Sequence, residues 1–241
     1  MHVLLGITVL WTGDLFADAA WERLSVWNWI LVPLTILAFL LWRSRSDFRA
    51  HPMQAESAGL FVIGLANCVT LCRGLLICCL GGFTPYSQFH GFSAWVPSIL
   101  YTSAIAADSL DGWIARVRNE ASPVGEVLDR EVDALGTLVA AILAYEYGRL
   151  PAFYLPVSTA YYVFSLAIWL RIKHGKPVHP LLPSARRRAV GTFQALSLAL
   201  LLAPLFGPTE GFCVAVALTV AVSLSFVRDW MAVIGDRRRA H

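Results

Sequence analysis

The chain has 241 residues, of which 57% are hydrophobic and only 15% are charged. This composition excludes an ordinary soluble domain and predicts an all-α polytopic membrane protein. The net charge is only +3, and we expect no nucleic-acid partner. Five cysteines lie inside apolar runs without a metal-binding spacing, which favours packing roles over a disulfide framework.

Residues 1–59 are predicted to form an N-terminal extension that precedes the core of the protein. A membrane helix is expected over about 24–42, close to the roughly 20 residues that a span needs. The basic residues that follow it indicate a cytoplasmic end: Arg43, Arg45 and Arg49. The polar connector over 44–59 is expected to lie at the membrane interface.

Six further apolar runs predict a core of six transmembrane helices in one domain over 60–230. The expected spans are 60–80, 96–116, 125–147, 152–170, 190–206 and 212–227. Connections assigned to the cytoplasm are basic, whereas Arg149 is the only lysine or arginine in the outer loops between core spans. The positive-inside rule therefore predicts the orientation of each span and a basic cytoplasmic tail over 231–241.

Two pairs of carboxylates flank the connection between the second and third core spans. Asp108 and Asp111 are three residues apart, and Asp129 and Asp133 are four apart. Both spacings place a pair on one helix face, so we expect the four acids to face one another. Ionisable groups at membrane depth are costly and usually functional. Four such carboxylates suit two hard divalent cations, Mg²⁺ or Mn²⁺, of the kind that assist phosphoryl displacement.

Small residues and one arginine lie between the two acidic pairs. Gly112 directly follows the second acid, Ala115 comes three residues later, and Gly125 precedes the third acid by four. Small side chains at these positions permit close approach of a ligand. Arg116 can hold a phosphate through two hydrogen bonds.

Three polar residues interrupt the first core span at steps of three: Asn67, Thr70 and Arg73. The steps place them on nearby faces of the helix. Polar groups in an apolar span often join helices through hydrogen bonds, and the spacing alone leaves that function and ligand contact both open.

The stretch over 108–133 resembles the signature of the CDP-alcohol phosphotransferases, also called CDP-alcohol phosphatidyltransferases. That signature is Asp-x2-Asp-Gly-x2-Ala-Arg, eight or nine residues, and Gly-x3-Asp-x3-Asp. The chain matches every position of it: Asp108, Asp111, Gly112, Ala115, Arg116, Gly125, Asp129 and Asp133. The first core helix of the family commonly carries Asn-x2-Thr, which Asn67 and Thr70 match, although the usual preceding Pro is Ala66 here.

The resemblance implies an integral-membrane enzyme of phospholipid synthesis. Such an enzyme transfers a phosphatidyl or other substituted phosphoryl group from a CDP-activated donor, here CDP-diacylglycerol, to an alcohol and releases CMP. It implies two Mg²⁺ or Mn²⁺ ions on Asp108, Asp111, Asp129 and Asp133, with Asp133 also acting as general base. The implied nucleotide and diphosphate contacts are Asn67, Thr70, Gly112, Ala115, Arg116, Ser122 and Gly125. Homodimers are frequent in the family.

The acceptor alcohol remains open at this point. Candidates are glycerol 3-phosphate, serine, inositol or its phosphate, another lipid, or diacylglycerol if the donor carries a CDP-linked headgroup. The basic stretch over 171–188 favours a phosphorylated acceptor such as glycerol 3-phosphate, although the same charges also serve topology. The candidate contacts to an acceptor or lipid phosphate are Arg186, Arg187 and Arg188.

Two other classes of protein compete with this interpretation. A membrane prenyltransferase also uses acidic motifs and Mg²⁺, but usually in widely separated loops, whereas Asp111 and Asp129 are 18 residues apart here. A non-enzymatic cation transporter often has duplicated halves, and the sequence has no evident repeat. The compact chain and its charge pattern fit a bacterial inner membrane, with the active site toward the cytoplasm.

Overall fold

A computed structural model of the chain describes residues 65–83, 91–118, 123–181 and 184–235, and the isolated helical positions Thr35 and Ala38. For 65–68, 71, 111–118 and 123–127 it describes the backbone alone. Apart from those two helical positions, the predicted N-terminal helix over 24–42 and the connector over 44–59 lie outside the described residues. The last six residues of the predicted tail, 236–241, lie outside them as well.

The described residues form helices and turns without any strand, which confirms the all-α prediction for this part of the chain. Seven α-helices are described: α1 Leu65–Gly81, α2 Val96–Arg118, α3 Pro123–Glu146, α4 Leu155–Ser158, α5 Ala160–Lys173, α6 Ala185–Leu202 and α7 Pro208–Ile234. Two 3-10 turns, Gly91–Trp95 and Ala152–Tyr154, lead into α2 and α4. The ends of α2 and α3 agree with the predicted spans to within two residues.

The length and composition of the described helices identify one clear candidate for a membrane span. This helix is α7, and the bent pair Ala152–Ser158 and Ala160–Lys173 qualifies as a second candidate if it crosses as one unit. The apolar part of α1, Cys72–Gly81, is shorter. Helices α2 and α3 contain the charged residues of the acidic motif and are not among these candidates. The six-span core therefore stays a prediction.

The core of the described bundle lies where α1, α2, α3 and α6 meet. Ala140 and Ala144 on α3 and Leu198 on α6 are fully buried there. Small residues on α3 allow its neighbours to approach closely. A Cβ atom added at Gly136 would lie 2.9 Å from Cδ1 of Ile77 on α1. Close contact between α1 and α3 therefore determines where the polar residues of α1 lie relative to the acids of α3.

Interhelical hydrogen bonds establish which ends of the helices lie together. Ser98 Oγ, at the start of α2, donates to the Ala199 carbonyl near the end of α6 at 2.9 Å. Just after α3, Arg149 Nη1 donates to three carbonyl oxygens at 3.2, 2.8 and 3.0 Å, those of Leu201, Leu202 and Ala203. The end of α6 thus lies beside the start of α2 and the end of α3. The start of α6 consequently lies at the end of the bundle where α2 ends and α3 begins.

The fourth predicted span, 152–170, is not one straight helix, because the chain bends by 45° between Ala152–Ser158 and Ala160–Lys173. At the bend, Ser158 Oγ donates to the Leu155 carbonyl and Thr159 Oγ1 donates to the Pro156 carbonyl, each at 2.8 Å. Such local side-chain bonds compete with the regular backbone bonds of a helix. The predicted span over 152–170 is based on the length of the apolar run, which contains no information about these bonds.

The fifth predicted span, 190–206, also differs from the helix that the structure contains. Helix α6 ends at Leu202, and Ala203 has an extended conformation with ψ of 144°. Pro204 explains this end, because a proline disfavours the helical conformation of the residue before it. At the other end α6 begins at Ala185, so the three arginines that follow are helical and do not belong to the preceding loop.

Candidate active site

Three of the four predicted metal-binding acids converge between α2 and α3. Asp108 comes from α2, whereas Asp129 and Asp133 lie one turn apart on α3. One carboxylate oxygen from each residue lies within 4.8 Å of the other two. Their side chains are between 38% and 54% exposed, so the cluster is open to a ligand. We call these three residues the acid cluster.

A buried arginine from α1 contacts all three members of the acid cluster. Nη1 of Arg73 lies 2.9 Å from Oδ1 of Asp108. Arg73 also donates hydrogen bonds to Asp129 through Nη1 and to Asp133 through Nη2. Its side chain is only 3% exposed. In the sequence, Arg73 follows Asn67 and Thr70 at intervals of three residues. This spacing indicates that the three residues lie on nearby faces of α1. It does not by itself predict a role for Arg73.

The donor set of the acid cluster fits a hard divalent cation. Carboxylate oxygens are the ligands that Mg²⁺ and Mn²⁺ prefer, and two ligands on opposite sides of a Mg²⁺ ion are about 4.2 Å apart. The 4.8 Å span of the three oxygens is therefore close to what one ion requires. With Arg73 counted, three negative charges and one positive charge leave a net charge that still favours a cation. Asp108, Asp129 and Asp133 would hold this ion.

Most of the remaining predicted site residues lie on α1, α2 and α3, the helices that contain Arg73 and the acid cluster. The last turns of α2 contain Asp111, Gly112, Ala115 and Arg116, and the first turn of α3 contains Gly125. The first turn of α1 contains Asn67, and Thr70 is buried one turn later. Of these residues only Thr70 has a described side chain, and Ser122 lies outside the described residues. Their contacts with a nucleotide, and the second metal ion, remain predictions.

The arginines predicted to bind an acceptor or lipid phosphate lie at the start of α6, and a carboxylate from α7 holds two of them. Oδ1 of Asp229 lies 3.4 Å from Nη2 of Arg186, and Oδ2 lies 3.0 Å from Nε of Arg187. Asp229 itself is 8% exposed. No motif in the sequence predicts a role for this acid. Its position in the last apolar helix was the available signal, since acids there are rarely without function.

A further carboxylate lies on α3 between the two acids of the cluster but faces away from them. Glu131 is fully buried. Its Oε1 accepts a hydrogen bond from the Tyr161 hydroxyl of α5 at 2.8 Å. Two residues along a helix correspond to a rotation of about 200°, which explains why Glu131 faces α5 and the cluster acids face α1. Glu131 therefore joins α3 to α5 outside the acid cluster.

Comparison with known proteins identifies the class to which this arrangement belongs. The family model described as CDP-alcohol phosphatidyltransferase matches residues 63–231, which is well over half of the chain. The chain therefore belongs to the CDP-alcohol phosphatidyltransferase family. This family consists of membrane-integral transferases of phospholipid biosynthesis that typically use divalent metals. No curated protein matches the chain.

Membership in this family bears on the alternatives that the sequence left open. It favours transfer of a phosphatidyl group from a CDP-alcohol over the membrane prenyltransferase and the cation transporter. The matched range includes all of α1 to α6 and nearly all of α7, so it covers both the acid cluster and the arginines of α6.

Proposed function

We propose that the protein transfers a phosphatidyl group from CDP-diacylglycerol to an alcohol acceptor and releases CMP. The observation that carries the proposal is the convergence of Asp108 on α2 with Asp129 and Asp133 on α3. We place the reaction at the cytoplasmic face of a bacterial inner membrane. In this proposal a six-span domain over 60–230 follows the N-terminal extension and precedes a basic tail.

The proposed reaction is a displacement at phosphorus. The acceptor hydroxyl oxygen attacks the phosphorus that carries diacylglycerol, the bond from that phosphorus to the bridging oxygen breaks, and CMP leaves with the bridging oxygen. Asp133 accepts the hydroxyl proton as general base. It has the most exposed side chain of the acid cluster, at 54%, which supports this role because an incoming acceptor must reach it. The carboxylates of the acid cluster would hold divalent cations, which would neutralise the diphosphate and the charge that develops during transfer.

The proposed binding site extends from the acid cluster along the neighbouring helix ends. Asp111 completes a set of four carboxylates for two Mg²⁺ or Mn²⁺ ions. The nucleotide and diphosphate lie against residues from α1, the end of α2 and the start of α3: Asn67, Thr70, Gly112, Ala115, Arg116, Ser122 and Gly125. The start of α2 and the turn after α3 both contact the end of α6, so α2 and α3 run in opposite directions, which supports this assignment.

The proposed acceptor carries a phosphate, with glycerol 3-phosphate as the first candidate. Arg186, Arg187 and Arg188 provide three positive charges in the first turns of α6. These turns lie at the end of the bundle nearer to the acid cluster, and Asp229 contacts two of the arginines. An ordered arginine pair is suited to bidentate contact with a phosphate group.

The first experiment measures CMP release by the purified protein in detergent. The protein receives CDP-diacylglycerol, Mg²⁺ or Mn²⁺ and each candidate alcohol in turn. We expect acceptor-dependent CMP release by the wild type, and a loss of about 10²–10⁴-fold in Asp133→Asn, the range that general-base catalysis contributes. Glu146→Gln is the matched control, because it removes the same charge from the exposed far end of α3 and should retain activity.

Two outcomes would contradict the proposal in different ways. Full activity of Asp133→Asn would refute the assignment of the general base. Absence of CMP release with every alcohol, and also with CDP-choline or CDP-ethanolamine plus diacylglycerol, would refute the transferase reaction itself.

A further inference from the structure

Arg73 gives the acid cluster a positive charge that the protein itself supplies. Its terminal nitrogen Nη1 contacts Asp108 and Asp129, and its terminal nitrogen Nη2 contacts Asp133. A single side chain thus contacts the three acids that would otherwise face one another. Its charge lies on α1, whereas the acids lie on α2 and α3, so the contact also joins the three helices.

We propose that Arg73 is an internal countercharge that competes with the catalytic divalent cation for the carboxylates of the acid cluster and thereby sets the affinity of the site for that cation. The proposal rests on the proposed function, because it takes the acid cluster as the cation site. It goes beyond that function by assigning a role to a residue outside the acidic motif.

The competition follows from position and charge. The guanidinium lies 2.9 Å from the Asp108 oxygen, so a cation that takes the same oxygen competes with it for the negative charge there. Two positive centres on one set of oxygens also repel each other, and this repulsion is strong where burial reduces screening by water. Cation binding therefore weakens the contacts of Arg73 and favours movement of its guanidinium away from the acids. The free energy of the lost contacts reduces the affinity for the cation.

The contacts that Arg73 makes also explain why the protein keeps a competitor in the site. Three carboxylates within 4.8 Å of one another repel strongly when no positive charge lies among them. Arg73 removes part of this repulsion, and its buried position on α1 places it beside the cluster. When it moves, an arginine can contact the diphosphate of the donor through two hydrogen bonds. Cation binding and donor binding would in this way favour each other.

The test compares Mn²⁺ binding by full-length wild type, Arg73→Gln and Arg73→Lys in detergent, with free Mn²⁺ measured by electron paramagnetic resonance. We expect Arg73→Gln to lower the Kd for Mn²⁺ at least about tenfold, which corresponds to about 1.4 kcal/mol. Arg73→Lys should give an intermediate Kd, because its ammonium keeps the charge but has a single nitrogen for three acids. It also covers the case in which Arg73→Gln does not fold. Arg228→Gln, an equal change in charge at an exposed position of α7, should bind like the wild type.

Thermal unfolding provides a second readout on the same proteins. In the presence of a chelator, the Tm of Arg73→Gln should lie below that of the wild type, because the acids have lost their countercharge. Added Mn²⁺ should raise the Tm of this variant more than that of the wild type, since at one ligand concentration a lower Kd gives a larger stabilisation of the native state. A residue with a purely structural role would lower the Tm without tightening the binding of Mn²⁺.

Three results would overturn the proposal. A Kd equal to or higher than the wild-type value in every folded Arg73 variant would show that Arg73 does not compete with the cation. Mn²⁺ binding that is unchanged in Asp129→Asn would place the ion outside the acid cluster. Absence of Mn²⁺ binding by the wild type and all variants would refute the cation site of the proposed function together with this proposal.

Discussion

At the start of α6, a single carboxylate from another helix orders two arginine side chains. Asp229 on α7 contacts Nη2 of Arg186 and Nε of Arg187, and it is almost completely buried. A long side chain loses conformational freedom when it binds an anion, and prior ordering by an ion pair reduces that loss. Asp229 is therefore a positioning residue for the proposed acceptor contacts, although it is separated from them by about forty residues.

The acceptor assignment predicts the kinetic effect of Arg187→Gln. We expect the KM for glycerol 3-phosphate to rise about tenfold or more, because a hydrogen bond to a charged group contributes about 1.5–3 kcal/mol. The KM for CDP-diacylglycerol should stay near its wild-type value. Steady-state CMP release with each substrate varied separately measures both constants.

Arg228→Gln is the control for Arg187→Gln, because it removes one positive charge from an exposed position of α7. Its two KM values should match those of the wild type. An unchanged KM for glycerol 3-phosphate in Arg187→Gln, or activity with unphosphorylated alcohols alone, would remove the arginines of α6 from the acceptor site.

At the scale of the elements, the turn after α3 stabilises the end of the bundle where α6 ends. Arg149 donates to the carbonyl oxygens of Leu201 and Leu202 at the end of α6, which lack partners within their own helix, and to that of Ala203 just beyond it. Its guanidinium also lies 5.2 Å from the ring centre of Tyr147. Burial lowers the pKa of Arg149, and Tyr147 opposes that shift. The carboxyl end of a helix has a partial negative charge, so a cation at this position stabilises α6.

The backbone of the same turn also limits which residue the start of α7 can contain. A Cβ atom added at Gly211 would lie 1.7 Å from the carbonyl oxygen of Arg149, and that oxygen belongs to the backbone. We therefore expect Gly211→Ala to reduce the stability by about 1–3 kcal/mol, the usual cost of overpacking. For a chain of this size the Tm falls by roughly 2–4 °C per kcal/mol, which thermal unfolding in detergent measures.

Gly191→Ala is the matched control, because a Cβ atom added at Gly191 on α6 meets nothing within 4 Å. Alanine is favoured over glycine inside a helix by about 0.5–1 kcal/mol, so this variant should unfold at or above the wild-type Tm. An equal Tm for the two variants would contradict the close contact between α7 and the turn after α3.

On the scale of the whole molecule, the charged clusters gather at one end of the bundle. The acid cluster lies in the half of the bundle nearer the end of α2 and the start of α3, and the arginines of α6 lie at that end. The contact between Arg149 and Gly211 marks the other end. Because the loop after α5 is basic, the positive-inside rule predicts that its side of the protein, and the proposed reaction with it, faces the cytoplasm.

Labelling of single cysteines tests this orientation. In a background with all five native cysteines replaced, Lys176→Cys should react with an impermeant maleimide only from the cytoplasmic side. Thr209→Cys should react only from the opposite side, and both positions are exposed. Right-side-out and inverted membrane vesicles allow the comparison. Reaction of both positions from the same side would contradict the proposed path of α6 between them.

Spacing along the chain was enough to predict the elements that contain the acidic motif. Asp129 and Asp133 are one helical turn apart, so they share a face in any helix that contains both. The predicted ends of α2 and α3 agree with the structure because each follows a long apolar run. The bend after Ser158 and the early end of α6 were not predicted, since side-chain bonds and a proline acted against apolar length.

By itself, the sequence determined the helical class, the family signature and the faces of α2 and α3 that carry acids. These are local properties, because they depend on residues within a few turns of one another. Only the tertiary structure decided that Arg73 meets the acid cluster from 56 and 60 residues away along the chain. It likewise decided that Asp229 holds the arginines of α6 and that Glu131 faces α5. Such pairs depend on how the helices pack, and the period of a single helix contains no information about its neighbours.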